Sequence, residues 1–155
     1  MEIVIREFIP GDEEAFRRLN EEWINRYFKL EDKDRSMLAN PQQTIIDQGG
    51  RIFLGFQDGE AVGCCALIQI APGEYEVAKM AVTQTAQGSG IGRRLMTRII
   101  AEAAEAGARR LYLETHHALT PAIRLYRSHG FQHLPPERIV PSVYQRADVF
   151  MERYL

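Results

Sequence analysis

The sequence predicts an α/β domain spanning residues 1–155, a mixed, twisted sheet of about seven strands flanked by four helices. Three observations carry this. Two apolar runs joined by Asp58-Gly59, and a third after Pro72-Gly73, read as three consecutive antiparallel strands. Gly88, Gly90 and Gly92 then stand at the doorway of a segment with helical apolar spacing. Beyond it strands and helices alternate, which places the one parallel crossover at that glycine turn.

Each element has its own signal. "EIVIREFI" is short, β-branched and stopped by Pro10-Gly11, so it opens the sheet. Asp12 is placed to cap a helix carrying Phe16, Leu19, Trp23 and Tyr27 on one stripe, which reads as core. The charged run "KLEDKDRSM" reads as a break, followed by a second helix over 41–48 that Gly49-Gly50 stops. "RIFLGFQ", "EAVGCCALIQIA" and "YEVAKMAVT" are the three antiparallel strands. A helix over 91–106 follows, with Leu95, Met96, Ile99, Ile100 and Ala103 on one face and Gly107 at its end. "RRLYLET" is the parallel strand, and "TPAIRLYRSHGF" a shorter helix with Thr120 as cap and Pro121 at its first position. Residues 131–134 and "RADVFMERYL" return to strand.

Bulk properties exclude several classes. A net charge of -2, with its basic residues scattered, argues against nucleic acid as a partner. No run approaches the roughly 18 apolar residues of a membrane span, and "MEIVIREF" lacks the form of a secretory leader. Cys64 and Cys65 are neighbours in one strand and point to opposite faces, so they read as small buried side chains rather than a disulfide. The expectation is a cytoplasmic protein. The four histidines show no metal-ligand spacing, with His116 and His117 expected on opposite faces of a strand end, so no metal is expected.

A strand, a glycine-rich turn and a helix present several unpaired backbone N–H groups at a positive helix end, an attractive site for phosphate. The bland alternative is a connecting turn that binds nothing. The P-loop pattern fails for want of its lysine, and the dinucleotide fingerprint fails because Arg93 stands where the third glycine belongs. A dinucleotide fold would also place such a turn after its first strand, whereas three antiparallel strands come first here.

The pattern resembles the GNAT superfamily of acyl-CoA-dependent N-acetyltransferases. Gln87, Gly90 and Gly92 fall in register with the family's (Q/R)-x-x-G-x-(G/A) loop, and "AIRLYRSHGF" matches its "A-x-x-L-Y-x-x-x-G-F" helix. The strong part of the likeness runs over 75–134, between the strands "YEVAKMAV" and "LYLET".

The resemblance implies the acyl-CoA N-acyltransferase fold, acetyl-CoA as co-substrate, and an acetyl transfer to a primary amine by direct attack. The pyrophosphate would lie on the loop formed by Gln87, Gly88, Ser89, Gly90, Ile91, Gly92 and Arg93. The pantetheine arm would pair with the backbone of Met80, Ala81 and Val82, where the two parallel strands splay apart. Tyr126 would serve the leaving thiolate. An amine with a pKa of about 10.4 must lose a proton before attack, and Glu76 is the candidate base, with Glu74 a near neighbour in the same phase. Where relatives carry an asparagine, His116 stands, able to hydrogen-bond cofactor or acceptor, or to act as a second base. The stretch from Trp23 to Asp34 and the segment "PSVYQRAD" would border the acceptor, with Arg146 available for an acceptor carboxylate, which points to a small molecule or amino acid before a protein. A homodimer is compatible with the family, and a non-catalytic acyl-CoA-binding module of the same fold is the rival reading.

Overall fold

The computed structural model describes residues 2–155. Its elements are β1 (Ile3–Glu7), α1 (Glu13–Tyr27), α2 (Asp32–Ala39), β2 (Arg51–Gln57), β3 (Glu60–Ala71), β4 (Glu74–Val82), α3 (Ile91–Glu105), β5 (Arg110–Thr115), α4 (Thr120–Ser128), β6 (Gln132–His133) and β7 (Val149–Tyr154). All seven strands form one sheet in the order β1-β2-β3-β4-β5-β7-β6. Only β4 and β5 run parallel.

Alternation along the strands sends side chains to two cores. In β2, Ile52 and Leu54 face one side and Phe53 the other; in β3, Cys64 and Ala66 oppose Cys65 and Leu67. One core lies under α3 and α4 and holds Leu95, Met96, Ile99, Leu111 and Met151; the other lies under α1 and α2 and holds Phe16, Leu19, Leu38 and Ile45. The two cysteines are therefore buried, free and on opposite faces. Asp58 and Gly59 both take positive φ (50° and 84°), the conformation that lets a two-residue turn follow the twist of β2 and β3. Gly63 permits the close seating of α3 on the sheet, since a Cβ there would stand 2.8 Å from Ile91 Cγ2.

The region between α1 and β2 departs from expectation. The charged run is itself α2, and 41–48 contains only a short π-helical turn over Gln42–Ile46. The reason is tertiary as much as local: Glu31 and Asp34 form a reciprocal capping box, and Asp34 is then drawn into the interior. Asp12 precedes α1 but does not cap it with its side chain; its carboxylate turns back to Arg6 and the Ile9 N–H. Helix α4 begins at Thr120 with Leu119 in the cap position. On α1 the buried stripe is Phe16, Leu19, Asn20 and Ile24, while Trp23 is half-buried and Tyr27 exposed.

Candidate active site

The parallel pair is short. Glu74, Tyr75 and Glu76 pair with Arg110, Leu111 and Tyr112, and there the pairing stops. β4 runs on to Val82 and β5 to Thr115 without each other, so the sheet opens into a cleft at its centre. The opening begins next to an irregularity. Cys64 faces Ala81 and Ala66 faces Ala78, leaving Lys79 and Met80 opposite Cys65, a bulge in which Lys79 takes φ 55°. Two cavities occupy the cleft: one of about 100 Å³ on the α1–α2 side, and one of about 770 Å³ running to the glycine turn. Met80, His116, Leu119 and Tyr126 line both, as do Trp23 and Phe28, so the cavities meet there. Trp23 thus packs against the core under α1 and α2 and also walls the cleft, whereas Tyr27 is exposed and serves as cleft wall alone.

The glycine turn borders the larger cavity through Gln87, Gly88, Gly90, Ile91, Gly92 and Arg93. Gly88 and Gly90 take φ 85° and 89°, with nothing within 4 Å of where a Cβ would stand, so they bend the chain open-faced into α3. Among the described residues, the N–H groups of Gly88, Gly90, Ile91, Gly92 and Arg93 have no hydrogen-bond partner, whereas Arg94 already donates to the Gly90 carbonyl. The N–H groups of Gln87 and Ser89 are taken by Gln84 and Ala86, and the Ser89 hydroxyl also turns to Ala86. The Gln87 side chain donates to the Val82 carbonyl and ties the turn to β4. Five free donors at a helix N-terminus can hold a diphosphate.

Tyr126, on α4, is buried with its ring edge toward Phe131 at 6.3 Å between centroids. Its hydroxyl makes no hydrogen bond to a described residue, yet no buried polar side-chain atom is left unsatisfied, so the oxygen reaches the cleft. Burial pushes its pKa up, which keeps the hydroxyl protonated as a donor.

Glu76 lies on the smaller cavity. Burial, and next the charge of Glu114, push its carboxyl up to about 7, against the pull of Lys33 and Lys79. Its alternative, Glu74, is occupied by Arg110 at 3.1 Å. Glu114 accepts hydrogen bonds from the hydroxyls of Tyr112 (2.9 Å) and Ser142 (2.5 Å).

The wall opposite is held by an ion network that local sequence does not announce. Asp34 is fully buried and accepts two hydrogen bonds from Arg146 (2.7 Å each), one from Lys79 Nζ (3.0 Å) and one from the Glu31 N–H (3.0 Å). Burial pushes the Asp34 carboxyl up, but Arg146 foremost, then Lys79 and the Glu31 N–H, bring it down to about 2. Lys79 also donates to the Tyr144 hydroxyl (3.0 Å), and Glu31 takes Arg146 at 3.2 Å. Arg146, expected to receive an acceptor carboxylate, is therefore spent on the protein's own acids.

His116 and His117 lie beyond the end of β5, and their rings sit side by side, 4.2 Å apart, rather than on opposite faces. With Asp148 they gather three potential ligand atoms within 4.8 Å, a cluster their adjacent sequence positions did not suggest. Asp148 is bonded to the N–H and ring of His117. His116 Nδ1 accepts the Ala118 N–H, so in the neutral ring Nε2 carries the proton, 3.8 Å from Asp148. The ring edge meets Phe28 at 5.1 Å and forms part of both cavity walls. No helix among the described residues is long and apolar enough to cross a membrane.

A mixed sheet opened at its one parallel pair, with a helix N-terminus at the opening, is the architecture of an acetyltransferase fold. A GNAT-family acetyltransferase from Staphylococcus aureus Mu50 superposes with a TM-score of 0.88 at 21% identity, covering 99% of each chain. The PaiA N-acetyltransferase of Thermoplasma acidophilum, solved with coenzyme A, gives 0.76 at 18% identity over 100% of each. At these identities the likeness is one of fold. The chain belongs to the GNAT acetyltransferase family, whose model matches residues 14–131. A curated relative, the IAA acetyltransferase of Azospirillum brasilense, is 42% identical over 90 residues, 57% of this chain and 59% of that protein, so the match spans under two thirds of the relative's length.

Proposed function

We propose that the protein transfers an acetyl group from acetyl-CoA to the primary amine of a small molecule by direct attack within a ternary complex. The observation that carries this reading is the meeting of the two cavities at Tyr126, with Glu76 on one side and five free N–H groups on the other. The diphosphate of the cofactor lies on those N–H groups, and its arm follows the unpaired edge of β4 past Val82 and Met80. The acceptor enters the smaller cavity as an ammonium. Glu76 takes its proton, directly or through water, and the amine nitrogen bonds the thioester carbon. As the carbon–sulfur bond breaks, the Tyr126 hydroxyl donates a hydrogen bond to the developing thiolate, which becomes the thiol with the proton that the nitrogen sheds on becoming the amide.

Thiol release over a panel of amines tests this. Wild-type protein is expected to turn over at least one amine, with Tyr126→Phe lowering kcat by about 100-fold while its affinity for CoA is unchanged. Tight CoA binding without turnover on any amine would instead establish an acyl-CoA-binding module.

Gly92 offers a test of the cofactor end alone. Its backbone is helical, and a Cβ would meet Leu125 and Val82 at 3.6 and 3.9 Å, ordinary contacts inside the larger cavity. Gly92→Ala is expected to raise the unfolding free energy by roughly 0.5 kcal/mol. It should also weaken CoA binding about tenfold in calorimetry, through the methyl placed beside the donating N–H groups. Unchanged affinity would move the diphosphate elsewhere.

A further inference from the structure

Five charged residues line the smaller cavity: Lys33, Glu76, Lys79, Glu114 and Arg146. Three are committed inward. Lys79 and Arg146 both serve Asp34, and Glu114 holds two hydroxyls. Among the described residues, the side chains of Glu76 and Lys33 alone of the five make neither a hydrogen bond nor an ion pair. Lys33 is exposed, and its ammonium stands 5.5 Å from the centre of the Tyr144 ring, which lines the same cavity. It lies in the first turn of α2, and that turn is pinned by its neighbour Asp34, so the cation is carried on a fixed support rather than a loose loop.

We propose that Lys33 anchors an anionic group of the acceptor, so that the substrate is a small amino acid, an amine and a carboxylate on one short frame. This rests on the transferase reading above. An ammonium at Glu76 and a carboxylate at Lys33 complement the two charges that the cavity leaves without partners, and about 100 Å³ suits a molecule of that size. Arg146 would have been the stronger carboxylate partner, but its guanidinium is taken by Asp34 and Glu31. The point charge of a lysine is what the cavity leaves available.

The test compares free amino acids with their carboxamides, which keep the amine and remove the anion. In the thiol-release assay the free acids should exceed the amides in kcat/KM by about tenfold or more, chiefly through KM. Lys33→Ala should abolish that preference, lowering the acids and leaving the amides within about twofold, with CoA affinity constant; Lys33→Arg should restore it. Equal use of acids and amides, or a preference that survives Lys33→Ala, overturns the anchor. If no amine turns over, the transferase reading falls separately. Calorimetric titration of the CoA-loaded protein with the same pairs then decides: an acid preference lost in Lys33→Ala supports the anchor, and its absence refutes it.

Discussion

Glu76→Gln is expected to lower kcat by about 1000-fold and, in the same protein, to raise stability at neutral pH. The rate loss follows from removing the group that accepts the acceptor's proton, an effect that spans roughly 10²- to 10⁴-fold for positioned bases. The wild-type profile of kcat/KM against pH should show an acid limb centred near pH 7, because the carboxyl of the free protein titrates at about 7 and must be ionised to act. In Glu76→Gln this limb should vanish, leaving only the rise set by the acceptor's own amine. The stability gain has the opposite origin. The folded carboxyl holds its proton up to about 7, whereas the unfolded one releases it near 4.5. The folded state therefore binds the extra proton between those values, and stability falls as pH rises from about 4.5 to 7. A shift of this size corresponds to at most about 3 kcal/mol. Urea denaturation at pH 5 and pH 8 should show wild type losing stability between the two while Glu76→Gln stays level. A persistent acid limb, or parallel curves, would remove Glu76 from the base role.

Asp34→Ala should be the most damaging substitution to stability. Lys79 retains only 5% of its side-chain exposure, and Asp34 none, so the variant strands a buried ammonium and leaves the Arg146 guanidinium with Glu31 alone. Removing one partner of such a network costs about 3–5 kcal/mol. That is a large share of the roughly 5–15 kcal/mol that holds a domain folded. The double substitution Asp34→Ala/Lys79→Met should be less destabilised than Asp34→Ala alone, since the buried ammonium goes with its partner. The sign with pH is also set: the folded carboxyl titrates at about 2, below its ordinary 3.8. Its stabilisation is present above 3.8 and lost as pH falls through about 2. The gap between wild type and Asp34→Ala should therefore narrow from pH 5 toward pH 2, measured by chemical denaturation. A constant gap would mean that Asp34 acts by packing and not by charge.

The glycine turn, the helix behind it, the Asp58-Gly59 hairpin and the tyrosine helix were legible because each depends on residues a few positions apart. Positive φ at Gly88 and Gly90, the stripe from Leu95 to Ala103, and the alternation through Cys64-Cys65 are short-range facts that three-dimensional packing then obeys. Helix α2 was missed for the converse reason. Its sequence "DKDRSMLA" offers only Met37 and Leu38 to a core, and its stability comes from Asp34 meeting groups 45 and 112 residues away. Trp23 likewise keeps helical spacing with Phe16 and Leu19, but the cleft opens where its face would otherwise be covered.

Arg146 and Lys33 draw the same line through the site. That the chain is an α/β fold with an open glycine turn leading from a strand into a helix follows from spacing, propensity and turn chemistry alone. Which of its cations faces a ligand and which is consumed internally depends on distances across the fold, to Asp34, Glu31 and Tyr144. Charge pairing acts through space and leaves no periodic mark along a chain, so only the folded arrangement of β4, α2 and the segment before β7 could decide it.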